Sequence, residues 1–169
     1  MVPASFIGYF AGAATAAAAL IGLLFVAVSL RPESVMGAGA SAKAQAVAGS
    51  AFTALVNGFF VSLIAQIPST NLGYTAIVIA LTSLYSTYRL HHGLGRGDSA
   101  VWQLVLALAA YLTQLVAGAF LVASPGRQSL VYVIAYVVVA AFAAALGRAW
   151  SLIQGRHTAQ EPETPVREA

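Results

Sequence analysis

No cysteine occurs anywhere in the chain, which excludes disulfides and thiolate metal sites and leaves the compartment open. Charge is nearly as scarce. Only 8% of the 169 residues are Asp, Glu, Lys or Arg, where an ordinary soluble domain carries about a quarter. An all-aqueous fold is therefore excluded as an expectation. Also missing are segments of about ten residues in which apolar and polar positions alternate, so a porin-like barrel finds no support.

What the chain has instead is apolar length: 60% of its residues are hydrophobic. Five runs stand out, at residues 4–30, 44–67, 72–89, 100–123 and 130–153. A helix rises about 1.5 Å per residue and a bilayer core is about 30 Å thick, so roughly 20 apolar residues suffice to cross. In hydrocarbon the backbone must bond to itself, and continuous runs of this length do so as helices. The expected fold is all-α: a polytopic transmembrane bundle of five spans in one domain (1–153), followed by a polar, proline-containing tail (154–169) expected to be mobile and cytoplasmic. No basic residue precedes the first run, and that run exceeds a signal-peptide core, so it reads as a retained span.

Residues 44–67 form the doubtful run, opening weakly and carrying Thr53, Asn57, Ser62 and Gln66. Basic residues arbitrate, because cytoplasmic loops hold the excess. With five spans, Arg31, Lys43, Arg89, Arg96, Arg148, Arg156 and Arg167 share one side and Arg127 stands alone, seven against one. If the second run fails to cross, Arg31 and Lys43 join Arg127 and the split falls to five against three. Five spans are preferred, with the N-terminus outside and the C-terminus cytoplasmic. The turn signals agree: Arg31-Pro32-Glu33, Ile67-Pro68-Ser69-Thr70-Asn71, a glycine-rich segment from His91 to Ser99 in which Asp98 or Ser99 can cap the fourth helix, and Ser124-Pro125-Gly126-Arg127. The net charge of +3 is spread over loops and helix ends, which suits anionic lipid headgroups at the cytoplasmic rim rather than nucleic acid.

Helical periodicity gathers small residues in the first run: Gly8, Gly12, Thr15, Ala19 and Gly22 fall within an arc of about 80°. Small residues allow close helix approach in lipid. The stripe serves either packing inside one bundle or a subunit interface. In the fifth run Tyr132, Tyr136, Ala143 and Gly147 share a side, with Tyr132 and Trp150 suited to opposite headgroup regions.

Polar stripes mark the middle runs. Ser50, Thr53 and Asn57 share one arc, Thr75, Thr82 and Ser86 a second, and Gln103, Tyr111, Gln114 and Gly118 a third. They read either as interhelical hydrogen bonds that fix the bundle, or as a polar path or pocket lined by Asn57, Thr53, Thr82, Ser86, Gln114 and Gln103. Asn57 and Gln114 matter most because they lie near mid-membrane and an amide brings two donors and an acceptor to satisfy.

No Asp, Glu, His, Lys or Arg is expected deep inside a span, which argues against proton relays, ion coupling and voltage sensing. Intramembrane proteolysis would need a serine–histidine pair or paired aspartates within the membrane, and the spans contain neither. The segment Gly93-Leu94-Gly95-Arg96-Gly97 lacks the strand and lysine of a nucleotide site. Adjacent His91 and His92 would point about 100° apart on a helix, poor geometry for one metal; a solvated rim or a pH-responsive pair fits them better. No metal, cofactor or enzymatic activity is expected.

The segment Ile21-Gly22-Leu23-Leu24-Phe25-Val26-Ala27-Val28-Ser29, preceded by a small-residue run from residue 10 and followed by Arg31 and Glu33, resembles the first span of small multispan bacterial membrane proteins, many of them actinobacterial. The resemblance implies a bacterial inner-membrane location and brings no catalytic or binding residue. The expected function is a homo-oligomeric channel or passive carrier for a small solute. The alternative is a non-conducting accessory protein that binds another membrane protein through its helix faces.

Overall fold

A computed structural model describes the backbone of residues 2–29, 41–68, 70–92 and 98–154, with the side chains of these residues except 43, 91, 98–100 and 151–154. The turn at Arg31 and Glu33, the glycine-rich segment 93–97 and the tail from residue 155 lie outside the described residues, as do the side chains of His91, Asp98 and Ser99.

Among the described residues five helices follow one another: α1 (Ala4–Ser29), α2 (Ala42–Ile64), α3 (Leu72–His91), α4 (Asp98–Ala123) and α5 (Gln128–Gln154). Their ends obey local chemistry. Ser41 Oγ accepts from Ala44 N at 3.1 Å and opens α2, while Asn71 Oδ1 accepts from Gly73 N at 2.9 Å and opens α3. The second apolar run stops being helical at Ile64, three residues before its apolar end. There Gln66 N and Ile67 N donate to carbonyls three residues back, winding the chain into the turn before Pro68.

Among the described residues, four helical stretches are long and apolar enough to cross a membrane: Ala4–Ser29, Ala44–Ile64, Val101–Ala123 and Gln128–Trp150. The doubtful second run is thus one of the four. The helix that falls outside them is α3, which carries Thr75, Thr82, Ser83, Ser86, Thr87 and Arg89.

Cross-helix pairs define direction. Asn57 meets Ser83, Thr53 meets Ser86, and Gly49 faces Leu90, so α2 and α3 run antiparallel. Gly73 meets Gly118 and Gln114 meets Ala76 O, so α3 and α4 do likewise. Helix α1 runs antiparallel to α2 (Phe25 on Phe52) and parallel to α5, where Phe6 packs edge-on against Tyr132 and Tyr9 OH donates to Ala135 O at 2.7 Å. The chain therefore alternates between two ends. The proximal end holds the start of α1 and the turns around Pro68 and Pro125. The distal end holds Ser29, Ser41, His92 and Gln154. Helix α2 occupies the middle, packed against α1, α3 and α5.

The two ends are built differently. Toward the proximal end the core is bulky, with Phe6, Phe10, Val61, Leu72, Leu121, Val131, Ile134 and Val138, and Ser62, Thr75 and Gln114 are buried beside it. Here α3 and α4 touch backbone to backbone: a Cβ on Gly73 would stand 2.7 Å from Gly118 O, and one on Gly118 would stand 2.9 Å from Gly73 O. Gly58 similarly makes room for the Phe142 ring. Toward the distal end the apolar core thins to Ala51, Ala54, Leu55, Ala141 and Ala145, and buried polar groups take the remaining positions.

Candidate functional site

The polar interior is assembled from one face of each central helix. On α2 the inward row is Ser50, Ala54, Asn57 and Val61; on α3 it is Ala76, Ala80, Ser83 and Thr87. Helix α4 contributes Ala107, Tyr111, Gln114 and Ala117, and α5 contributes Val138, Ala141, Ala145 and Arg148. Each row follows the three- and four-residue steps of a single helical face.

Read along the axis, polarity is graded. Ser50, Thr87 and Arg148 lie toward the distal end. Asn57 and Ser83 follow, and Gln114 lies level with Ala76, seven residues of α3, about 10 Å, nearer the proximal end.

Asn57 and Gln114 are both 0% exposed. Asn57 Nδ2 donates to Ser83 Oγ at 2.9 Å, and Gln114 Nε2 donates to Ala76 O at 3.2 Å. Because Ala76 O can only accept, the orientation of the Gln114 amide is fixed by its partner. Gln114 reaches that carbonyl because the facing row of α3 is alanine at positions 76 and 80. The other half of each amide is unmet: Asn57 Oδ1 and Gln114 Oε1, like Ser62 Oγ, have no hydrogen-bond partner among the described residues. Buried polar atoms without partners are costly, each by about 1–3 kcal/mol, and they concentrate where proteins hold something.

The six expected path residues divide. Asn57 and Gln114 are in the interior. Thr53 bridges to Ser86 at 3.0 Å on the half-buried seam between α2 and α3. Gln103 is half-buried near the distal end, where its carbonyl accepts from Arg148 Nη2 at 3.5 Å. Thr82 faces outward and bonds the carbonyls of Val78 and Ile79 on its own helix. Ser83 and Thr87 hold the inward positions that the sequence reading left unassigned.

Arg148, counted in the sequence with the charged rim, is 7% exposed and packed inside the distal half of the bundle. Its Nη1 donates to Ser50 O at 3.2 Å. Its position was available in the sequence, because Ile134, Val138, Ala141, Ala145 and Arg148 make one helical face. Beside it, α4 and α5 part to form a groove of about 440 Å³ with Ala54 as part of its floor.

The small-residue stripe of α1 also has a definite place. Gly8, Gly12, Thr15, Ala19 and Gly22 all point away from the bundle, and a Cβ on any of the three glycines would meet nothing within 4 Å. Packing inside the subunit is done by the opposite face, through Phe6, Phe10, Ala14 and Ala17. His92 is exposed and stacks edge-on against Tyr88. Among the described residues no three His, Cys, Asp or Glu side chains come together. Comparison with family models, with curated proteins and with solved structures finds no match for this chain.

Proposed function

We propose that this protein crosses a bacterial cytoplasmic membrane five times, N-terminus outside, and serves without catalysis as a homo-oligomeric channel or passive carrier for a small solute. The fifth crossing is assigned to α3. Its distal half packs on α2 through Ser83, Ser86 and Leu90, its proximal half packs on α4 through Gly73 and Ala76, and it exposes Tyr74 toward the proximal end and Tyr88 toward the distal end. Exposed Tyr132 and Trp150 on α5 are 18 residues apart, about 27 Å of helix, which matches two headgroup regions. Seven of the eight basic residues then gather on the distal side, which the positive-inside rule makes cytoplasmic. The resemblance of residues 10–30 to first spans of bacterial membrane proteins supports the same membrane.

The observation that carries the transport reading is the pair of buried amides with open acceptors. Asn57 Oδ1 and Gln114 Oε1 lie in the interior and offer neutral ligands to a solute bearing hydrogen-bond donors. Both residues are 0% exposed, so transport requires the helices to part or copies of the chain to rearrange. The outward stripe of Gly8, Gly12, Thr15, Ala19 and Gly22 is the surface assigned to self-association.

Flux measurement in proteoliposomes tests this. Vesicles holding the wild-type chain should pass a small donor-bearing solute such as urea or ammonia faster than empty vesicles. The Asn57→Leu, Gln114→Leu double variant should fall to the empty-vesicle rate. The closed proximal core favours a second reading, a non-conducting accessory protein that docks a partner on its helix faces. Absence of flux for every small ion and neutral solute, with recovery of one fixed partner, would establish that reading instead.

A further inference from the structure

We infer that the lateral groove between α4 and α5 binds a membrane-dissolved quinone, one ring carbonyl accepting a hydrogen bond from the Tyr111 hydroxyl. Tyr111 is only 2% exposed, yet it lines the groove. Among the described residues its hydroxyl has no hydrogen-bond partner, and it is not sealed off as Asn57 Oδ1 is. Thr15, Thr82 and Thr113 satisfy their hydroxyls on carbonyls of their own helix. A tyrosine holds its hydroxyl too far from its own backbone for that remedy. Buried phenols ordinarily find a partner. Here the groove is the side from which one can arrive.

Depth and shape select the occupant. Tyr111 stands midway along α4, about 20 Å of helix from Asp98. Helical side chains lean toward the N-terminus of their helix. Even a lean of one full turn leaves the hydroxyl about 14 Å from that end. Glycerolipids keep their carbonyls in the interfacial region and send only hydrocarbon to such a depth. A quinone carries acceptor carbonyls on an uncharged, otherwise apolar ring, so it can bring an acceptor there. The walls suit a flat ring: Ala107 and Ala110 on α4 face Ala140 and Ala144 on α5. A Cβ on Gly147 would meet nothing within 4 Å, and Ala140, Ala144 and Gly147 are exposed, so the apolar tail has a way out into lipid. The volume of about 440 Å³ lies within the usual range of small-molecule sites, about 300–1,000 Å³. Arg148 lines the distal part of the groove, but a neutral ligand makes no demand on its charge. The Asn57 and Gln114 amides do not line the groove, so the inference stands apart from the transport reading.

Equilibrium dialysis of ubiquinone-2 against the full chain in mild detergent, with empty micelles as background, measures the binding. The wild type should take up one quinone per chain in a saturable manner. Tyr111→Phe keeps the ring and removes the hydroxyl, and it should bind about three- to tenfold more weakly. Infrared spectroscopy gives a readout that a packing role would not move. The carbonyl stretch of the bound quinone should lie below its value in empty micelles, and should return to that value in Tyr111→Phe. The Ala140→Phe, Ala144→Phe double variant fills the groove from exposed positions and should abolish saturable binding. Absence of saturable binding by the wild type, an unshifted carbonyl stretch, or unchanged binding in either variant overturns the inference. So does a co-purifying phospholipid that the filled variant loses and that the quinone does not displace, which would give the groove to a glycerolipid. Loss of an oligomer in the filled variant with quinone binding intact would give it to a second copy and overturn the inference as well.

Discussion

Replacing Gln114 by leucine exchanges one hydrogen bond to a carbonyl for the removal of a buried oxygen that has no donor. Ala76 O already belongs to the α3 ladder, so losing the amide leaves no naked backbone group. The two effects oppose each other, and the expected net change in stability is within about 1 kcal/mol. Thermal unfolding in detergent should therefore give nearly the wild-type midpoint while flux is lost. A fall of several degrees would mark Gln114 as a structural residue. Arg148 behaves oppositely. Arg148→Met keeps the packing volume but gives up the charge-assisted bonds to Ser50 O and Gln103 O, and a loss of about 1–3 kcal/mol is expected. Ser50→Ala is the matched control. Arg148 uses the carbonyl of Ser50, while the Ser50 hydroxyl bonds Val47 O on its own helix, so the same unfolding measurement should move by less than about 1 kcal/mol.

At the level of the helix, glycines separate inner packing from outer surface. Gly73→Leu or Gly118→Leu must push α3 and α4 apart at a backbone contact, at an expected cost of about 1–3 kcal/mol or more, visible as a lowered unfolding midpoint. Gly8→Leu with Gly12→Leu has open space around it. That variant should unfold like the wild type and shift to a smaller species in light scattering, since the face it alters is the one assigned to self-association. An unchanged oligomer mass would move the interface elsewhere. The same helix shows what periodicity can and cannot convey. Counting in steps of three and four finds the stripe from Gly8 to Gly22, but a second stripe of Phe6, Phe10, Ala14 and Ala17 is equally regular, and only packing against Tyr132 and α2 decides which turns inward. Polarity does not break the tie in lipid. Thr15, Thr82 and Thr113 satisfy their hydroxyls on carbonyls of their own helix, so each can face outward at little cost. For this reason the arc through Thr82 gives way to the neighbouring one through Ser83 and Thr87. Asn57 and Gln114 were legible because a primary amide brings two donors and an acceptor, more than its own helix turn can satisfy, and so seeks a neighbour. Arg148 was legible too, on the face of Ile134 and Ala141, but its charge led it to be placed by loop-counting instead of by helical phase.

For the molecule as a whole, the topology turns on whether α3 crosses, because every later segment changes sides with it. Helix α3 is the least apolar of the five, yet its polar side chains need not meet lipid: Ser83 and Thr87 turn into the bundle, Ser86 bonds Thr53, and Thr82 bonds its own backbone. What faces outward is mainly Tyr74, Val78, Leu81, Tyr85 and Tyr88, an apolar surface with aromatic rings toward both ends, as an interface-anchored span requires. The burial of polar groups against α2 and α4 thus removes most of the cost that composition alone would assign to the crossing. The chain contains no cysteine, so single cysteines can be introduced without background. In intact cells of a bacterial host, Thr70→Cys should react with a membrane-impermeant maleimide, and His92→Cys should react only after the membrane is opened. Ser124→Cys should behave like Thr70→Cys, and a reporter fused after Ala169 like His92→Cys. Labelling of both Thr70→Cys and His92→Cys from the outside would mean that α3 returns without crossing. The basic residues would then divide between the two faces, and the distal end could no longer be assigned to the cytoplasmic side.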